Sequence, residues 1–215
     1  MSARVIHAIP QTRGCSSRNV HHPLLELVDP RSLMRLDCSR SIPGGSKITM
    51  VWLRAPPRIK VLEALGAIVD GRVELASKDK KFARVRSSLG DRVYTVYVDV
   101  VKGEAYSDDN GTRYRGYIGY PIISLLMLQG ALPFDQEIAE ALKGIPWKEL
   151  NEKYKKYTVV EKIVLSEAEK RGVKPDKVRE FVDKVYRELK RIKLRKLEKP
   201  PALGLDKFLR TQTPQ

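Results

Sequence analysis

The chain has 215 residues, with 41 Lys and Arg against 26 Asp and Glu and a formal net charge of +15. That length suits one sizeable core with tails or two small domains, and the charge calls for an acidic partner, nucleic acid before an anionic membrane surface. Cys15 and Cys38 are its two cysteines, too few for a disulfide scaffold and in keeping with a reducing cytosol. No apolar run approaches the ~20 residues a membrane span needs, and no signal-like apolar block opens the chain, so a cytoplasmic protein is expected. Scarce Asn and Gln beside abundant Lys, Arg and Glu is the composition of a heat-adapted, thermophilic protein.

In chain order, residues 1–49 do not read as a folded unit. Pro10, Pro23, Pro30 and Pro43 interrupt every candidate helix. The segment is expected to be a disordered arm or an over-extended start, since Met50 stands just ahead of the first well-patterned stretch. Cys15, His21, His22 and Cys38 match no standard zinc spacing, so no metal or cofactor site is assigned. Ile59, Val61, Leu62 and Leu65 predict a short helix stopping near Gly66, and Asp70-Gly71 predicts a turn. Strands follow at 72–75, 82–86, 93–100 and 104–106. Asn110-Gly111 predicts a hairpin into a further strand at 112–114. Pro121 opens a helix through Leu128, Asp135 caps one ending at Gly144, and Pro146 opens another. Thr158 and Glu161 have capping-box spacing. A helix then ends at Gly172, and Pro175 opens a last one with Val178, Phe181, Val182, Val185, Leu189 and Ile192 on one face. Ala168, Gly172 and Val178 fit helix-turn-helix spacing in part, with a plain helical hairpin the simpler reading. The expected fold is α+β: a small antiparallel sheet (72–117) followed by a helical bundle (121–197). It forms one domain over 50–197 between flexible N- and C-terminal tails, the latter 198–215.

Two segments carry nucleic-acid chemistry. Arg113, Tyr114, Arg115 and Tyr117 interleave cations with aromatic rings, the combination that suits phosphates and stacked bases. Gly116 and Gly119 form a G-x-x-G that resembles the clamp loop of KH domains. That loop joins two helices, whereas this one is expected to follow a strand. Lys190, Arg191, Lys193, Arg195 and Lys196 make a basic end to the last helix, denser than the helix dipole requires. Asp99, Glu104, Asp108 and Asp109 are the acids a metal-dependent nuclease would recruit, but they share no nuclease motif with a paired lysine. Binding is therefore favoured over catalysis, and no catalytic residue is assigned.

After Lys199-Pro200-Pro201, a stiff linker, comes Ala202-Leu203-Gly204-Leu205-Asp206-Lys207-Phe208-Leu209. Leu205, Phe208 and Leu209 fall at i, i+3 and i+4 on one side of a helical turn. This tail resembles the PCNA-interacting peptide at the C-termini of archaeal replication and repair proteins. Leu205 matches its aliphatic position and Phe208 its first aromatic. Leu209 replaces the second aromatic, and Ala202 replaces the glutamine. The resemblance implies docking on the sliding clamp PCNA and turns the expectation toward DNA rather than RNA. The body carries no such resemblance. The sequence reading is thus a DNA-binding accessory protein of replication or repair. An RNA-binding factor of RNA processing or translation and a metal-dependent nuclease are the alternatives.

Overall fold

The computed structural model describes residues 51–202. The expectations for residues 1–49, the Cys15, His21, His22 and Cys38 group among them, and for Leu205, Phe208 and Leu209 lie outside the described residues. The chain runs α1 (Ile59–Val69), β1 (Val73–Leu75), β2 (Phe82–Arg86), β3 (Val93–Asp99), β4 (Glu104–Ser107) and α2 (Asn110–Arg113). It continues with α3 (Tyr120–Leu128), α4 (Gln136–Ala141), α5 (Trp147–Tyr154), α6 (Tyr157–Lys170), α7 (Pro175–Arg191) and β5 (Arg195–Lys196). The fold is α+β, as expected.

The strands lie in the order β1-β2-β3-β4-β5. The first four form an antiparallel meander, with Phe82 opposite Tyr97 and Val98 opposite Ala105. The sheet is mixed rather than wholly antiparallel. After α7 the chain turns at Ile192 and returns as β5, parallel to β4, with Arg195 opposite Glu104. Residues 51–54 flank β5 on its other side: Lys196 N–H donates to the Val51 carbonyl (2.8 Å) and Leu53 N–H to that of Leu194 (2.9 Å).

Val85, Val96, Val98 and Ala105 line the sheet's inner face and are fully buried. Helix α3 crosses that face, and α1 packs on α3. Residues Pro121 to Met127 of α3 are all buried, so it behaves as a central helix rather than an amphipathic surface one. Ser124 fits there because its hydroxyl donates to the carbonyls of Tyr120 (2.9 Å) and Ala64 (3.2 Å), the second reaching across to α1. The outer helices α4 to α7 close the other side, with α6 and α7 as a plain helical hairpin turned at Gly172 (φ 90°).

Three local expectations fail for identifiable reasons. Helix α1 does not stop at Gly66 but continues to Val69. Gly66 is needed for space: a Cβ there would lie 2.5 Å from Trp147 Nε1. Asn110-Gly111 is not a hairpin. Asp109 caps a helical turn, its Oδ1 accepting from the amides of Gly111 (2.8 Å) and Thr112 (3.2 Å), so residues 110–113 become α2. The β3–β4 reversal lies earlier, at 100–103, where Gly103 takes φ 63°. Thr158 and Glu161 do not form a capping box, because α6 begins at Tyr157 with Lys156 as its N-cap and no side-chain cap.

Candidate nucleic-acid interface

The Arg113–Tyr117 segment links α2 to α3 and is tied to both chain ends of the fold. Arg54 N–H donates to the Gly116 carbonyl (2.9 Å), Ile118 N–H to that of Arg54 (3.0 Å), and the Arg54 guanidinium to that of Arg115 (2.7 Å). The Lys196 ammonium of β5 donates to the Arg113 carbonyl (3.2 Å). Residues far apart in sequence thus meet at one margin: Arg54, Arg113, Tyr114, Arg115 and Lys196. Trp52, opposite Arg195 and 52% exposed, adds an open indole. Tyr114 is 71% exposed, with the Arg113 guanidinium 5.3 Å from its ring centre.

Lys196 is also ion-paired, with Glu198 at 3.3 Å, as are two of the remaining basic residues. Arg195 pairs with Glu104. Arg191 pairs with Glu188 (2.8 Å), and Lys190 sits 5.2 Å from the Tyr186 ring centre, both on α7. Lys193 lies in the turn between α7 and β5, its carbonyl against Gly103. The basic run is therefore no continuous helix end. It is divided between a helix with its own partners and an edge strand.

The G-x-x-G joins two helices after all, α2 and α3, because the strand expected at 112–114 is helical. It is nevertheless no free clamp. Ile118 is buried, and Tyr117 turns inward to the wall of a cavity.

That cavity, about 680 Å³, opens among α1, α2, α5 and the sheet. Sequence reasoning missed it, since its residues are scattered from position 60 to position 157. Its aromatic walls are Tyr94, Tyr117, Tyr120, Trp147 and Tyr157. Lys60 and Glu63, one turn apart on α1, pair inside at 2.7 Å. Burial alone would lower the Lys60 pKa, but the Glu63 carboxylate more than reverses this and holds it above the usual lysine range. Burial pushes the Tyr117 phenol up to about 12, with Tyr157 beside it adding to the rise. Burial raises the Tyr120 and Tyr94 phenols as well. These tyrosines are neutral hydrogen-bond donors at neutral pH, not bases.

Several buried polar atoms of the lining residues have no hydrogen-bond partner among the described residues: Arg72 Nη2, Trp147 Nε1, Asp109 Oδ2 and Asn151 Oδ1. Each belongs to a side chain otherwise fixed. Arg72 is held by Asp70 (3.1 Å) and the Arg86 carbonyl (3.1 Å), and Asn151 donates to Glu63 (3.0 Å). Asp109 is anchored through its other oxygen by α2. It lies so close to Gly119 that a Cβ there would fall 2.3 Å from Oδ2. Arg92, Arg115, Lys148 and Lys155 stand around the cavity. Lys148 pairs with Asp91, whereas none of the other three enters an ion pair among the described residues. Lys155 ends α5 with φ 54°, a left-handed conformation uncommon for lysine.

The four hairpin acids do not converge. Asp99 pairs with Lys81 (2.9 Å), Glu104 with Arg195, Asp108 accepts from the Thr95 amide (2.9 Å), and Asp109 caps α2. Among the described residues no group of three or more His, Cys, Asp or Glu is placed to hold a metal ion, and no helix is long and apolar enough to cross a membrane.

The family described as uncharacterised conserved protein UCP014422 matches residues 53–195, and the chain belongs to it. The match takes in every cavity residue and the Arg113–Tyr117 segment, and it ends before the tail. No curated protein and no solved structure matches the chain.

Proposed function

We propose that this is a nucleic-acid-binding accessory protein of DNA replication or repair, held at the sliding clamp through Leu205, Phe208 and Leu209. The observation that carries the binding reading is the meeting of Arg54, Arg113, Tyr114 and Lys196 at one margin, beside the open indole of Trp52. Cations there neutralise phosphates, and exposed rings accept stacked bases, which suits a single strand better than a rigid duplex. The net charge of +15 supplies long-range attraction. The preference for DNA rests on the tail alone. Tethering there raises local concentration at the clamp without new contacts on the body.

Fluorescence titration with labelled single-stranded DNA, duplex DNA and RNA of one length and sequence tests the class of ligand. Single-stranded DNA is expected to bind at least as tightly as RNA, and duplex more weakly. Preference for RNA transfers the protein to RNA processing or translation, and no binding to any of the three refutes the reading.

A further inference from the structure

We infer that the cavity among α1, α2, α5 and the sheet is a binding site for a small polyanion, a molecule carrying two or more phosphate or carboxylate charges, which Arg92, Arg115 and Lys155 receive at its mouth. The site is separate from the margin of Arg54, Arg113 and Tyr114, and its ligand need not be a nucleic acid.

The charge of the lining sets the class of ligand. Six cations line the cavity, Lys60, Arg72, Arg92, Arg115, Lys148 and Lys155, against the three carboxylates Glu63, Asp109 and Glu152. Three of the cations are matched within the fold: Lys60 pairs with Glu63 (2.7 Å), Arg72 with Asp70 (3.1 Å) and Lys148 with Asp91. Asp109 is spent on the cap of α2. Arg92, Arg115 and Lys155 are exposed and enter no ion pair among the described residues. They come from three separate places, the β2–β3 turn, the α2–α3 link and the end of α5. The fold thus gathers like charges at one opening, where they repel one another until an anion offsets them. Of the lining carboxylates only Glu152 is exposed there, and one carboxylate does not balance three cations.

The interior suits the same ligand. Burial raises the Tyr94 and Tyr117 phenols, against the pull of Arg92 and Lys148 on the first and of Lys60 and Arg115 on the second. These cations therefore act on the cavity and not only on solvent, while the hydroxyls stay protonated and can donate to an anion. A volume of about 680 Å³ falls within the range of small-molecule sites and exceeds what one phosphate fills. A metal ion would meet the surplus positive charge, and a neutral ligand would leave it unbalanced. Lys155 holds φ 54° at a turn that glycine would make without strain, and the lysine adds a cation to the mouth.

Calorimetry of the full chain with inorganic phosphate, pyrophosphate, tripolyphosphate and citrate, each titrated separately, tests the site. At least one of the three polyanions is expected to bind at a single site below about 1 mM, and phosphate about tenfold or more weakly. Preference for the polyphosphates or for citrate then names the charged group of the natural ligand. Arg92→Gln/Lys155→Gly removes two exposed cations and leaves the turn unstrained, and it should weaken that binding about tenfold. Its unfolding midpoint, expected at or above that of the parent, excludes loss of the fold as the cause. Arg113→Ala/Lys190→Ala removes the same charge outside the cavity and should leave the affinity within about twofold.

No saturable binding of any polyanion up to about 10 mM overturns the site. Equal weakening by the two double variants overturns it too, by reducing the binding to the general basic charge of the chain. If the small polyanions fail and Arg92→Gln/Lys155→Gly instead weakens the labelled strands of the preceding experiment, the mouth belongs to the strand and the small-ligand site falls while the proposed function stands.

Discussion

Gly66→Ala sets two local rules against each other. In an ordinary helix interior the change stabilises by about 1 kcal/mol, because glycine loses more backbone freedom on folding. Here the new Cβ would stand 2.5 Å from Trp147 Nε1 and 3.1 Å from Cε2, inside the usual carbon contact of about 3.5–4.0 Å. Trp147 is 3% exposed, and its indole must shift by about an ångström. Overpacking costs about 1–3 kcal/mol, and a contact this close to a buried ring stands in the upper part of that range, about 2–3 kcal/mol. With the helical gain subtracted, the net loss should be about 1–2 kcal/mol, a fall in Tm of roughly 2–8 °C for a domain of this size. Urea and thermal unfolding followed by circular dichroism measure it. Trp147→Phe, which removes the offending atoms, should cancel the penalty, with a coupling near 1 kcal/mol in the double-mutant cycle. A Gly66→Ala protein as stable as the parent, or more so, would refute the packing argument.

Asp99 is buried, and burial alone would raise its pKa. The Lys102 amide and the Lys81 ammonium outweigh that and hold it below the usual carboxylate range. Its contribution to stability is therefore present above the unfolded pKa, near 4, and is lost as pH falls through the lower folded value. Asp99→Asn should lower stability at neutral pH and flatten the acid limb of the curve, so an unchanged slope below about pH 4 would count against it. Lys155→Gly relieves the left-handed strain and should stabilise by about 1 kcal/mol in urea unfolding. A destabilised variant would mean that Lys155 is held by contacts that outweigh the strain. Calorimetry of a peptide spanning residues 198–215 against PCNA should give micromolar binding that Phe208→Ala abolishes. No heat at high micromolar concentration removes the clamp from the account.

Most of the strands were legible because their chemistry is local. Val93 to Asp99 is rich in β-branched and aromatic residues, and Phe82 to Arg86 places Phe82 and Val85 among polar neighbours in a short run that reads as a strand. Likewise Asp135 announced its helix, and its Oδ1 accepts from the Ile138 amide (3.0 Å). What failed was decided by distant partners. Nothing near Gly66 in sequence reveals that Trp147 lies across it. Asn110-Gly111 carries the residues of a hairpin, yet the carboxylate of Asp109 one position earlier selects a helical turn. Strand β5 has only two residues and forms because β4 and residues 51–54 offer edges on both sides.

The site divides the same way. Arg113 to Tyr117 stood out because cations and rings are adjacent in the chain. The cavity left no such trace, since Lys60, Arg72, Asp109 and Asn151 meet only through the tertiary fold. The one available signal was indirect: polar and aromatic residues on helices otherwise apolar, such as Glu63 on α1 and Tyr120 at the start of α3.

The central claim is that a nucleic acid strand lies along the margin formed by Arg54, Arg113, Tyr114 and Lys196. The most direct measurement is the affinity for a labelled single-stranded oligonucleotide between about 50 and 200 mM salt, for the parent protein and for Arg113→Ala/Tyr114→Ala. The account predicts weaker binding by about tenfold or more and a logarithmic salt slope shallower by about 1 in the variant. Identical affinities and slopes for the two proteins would contradict it.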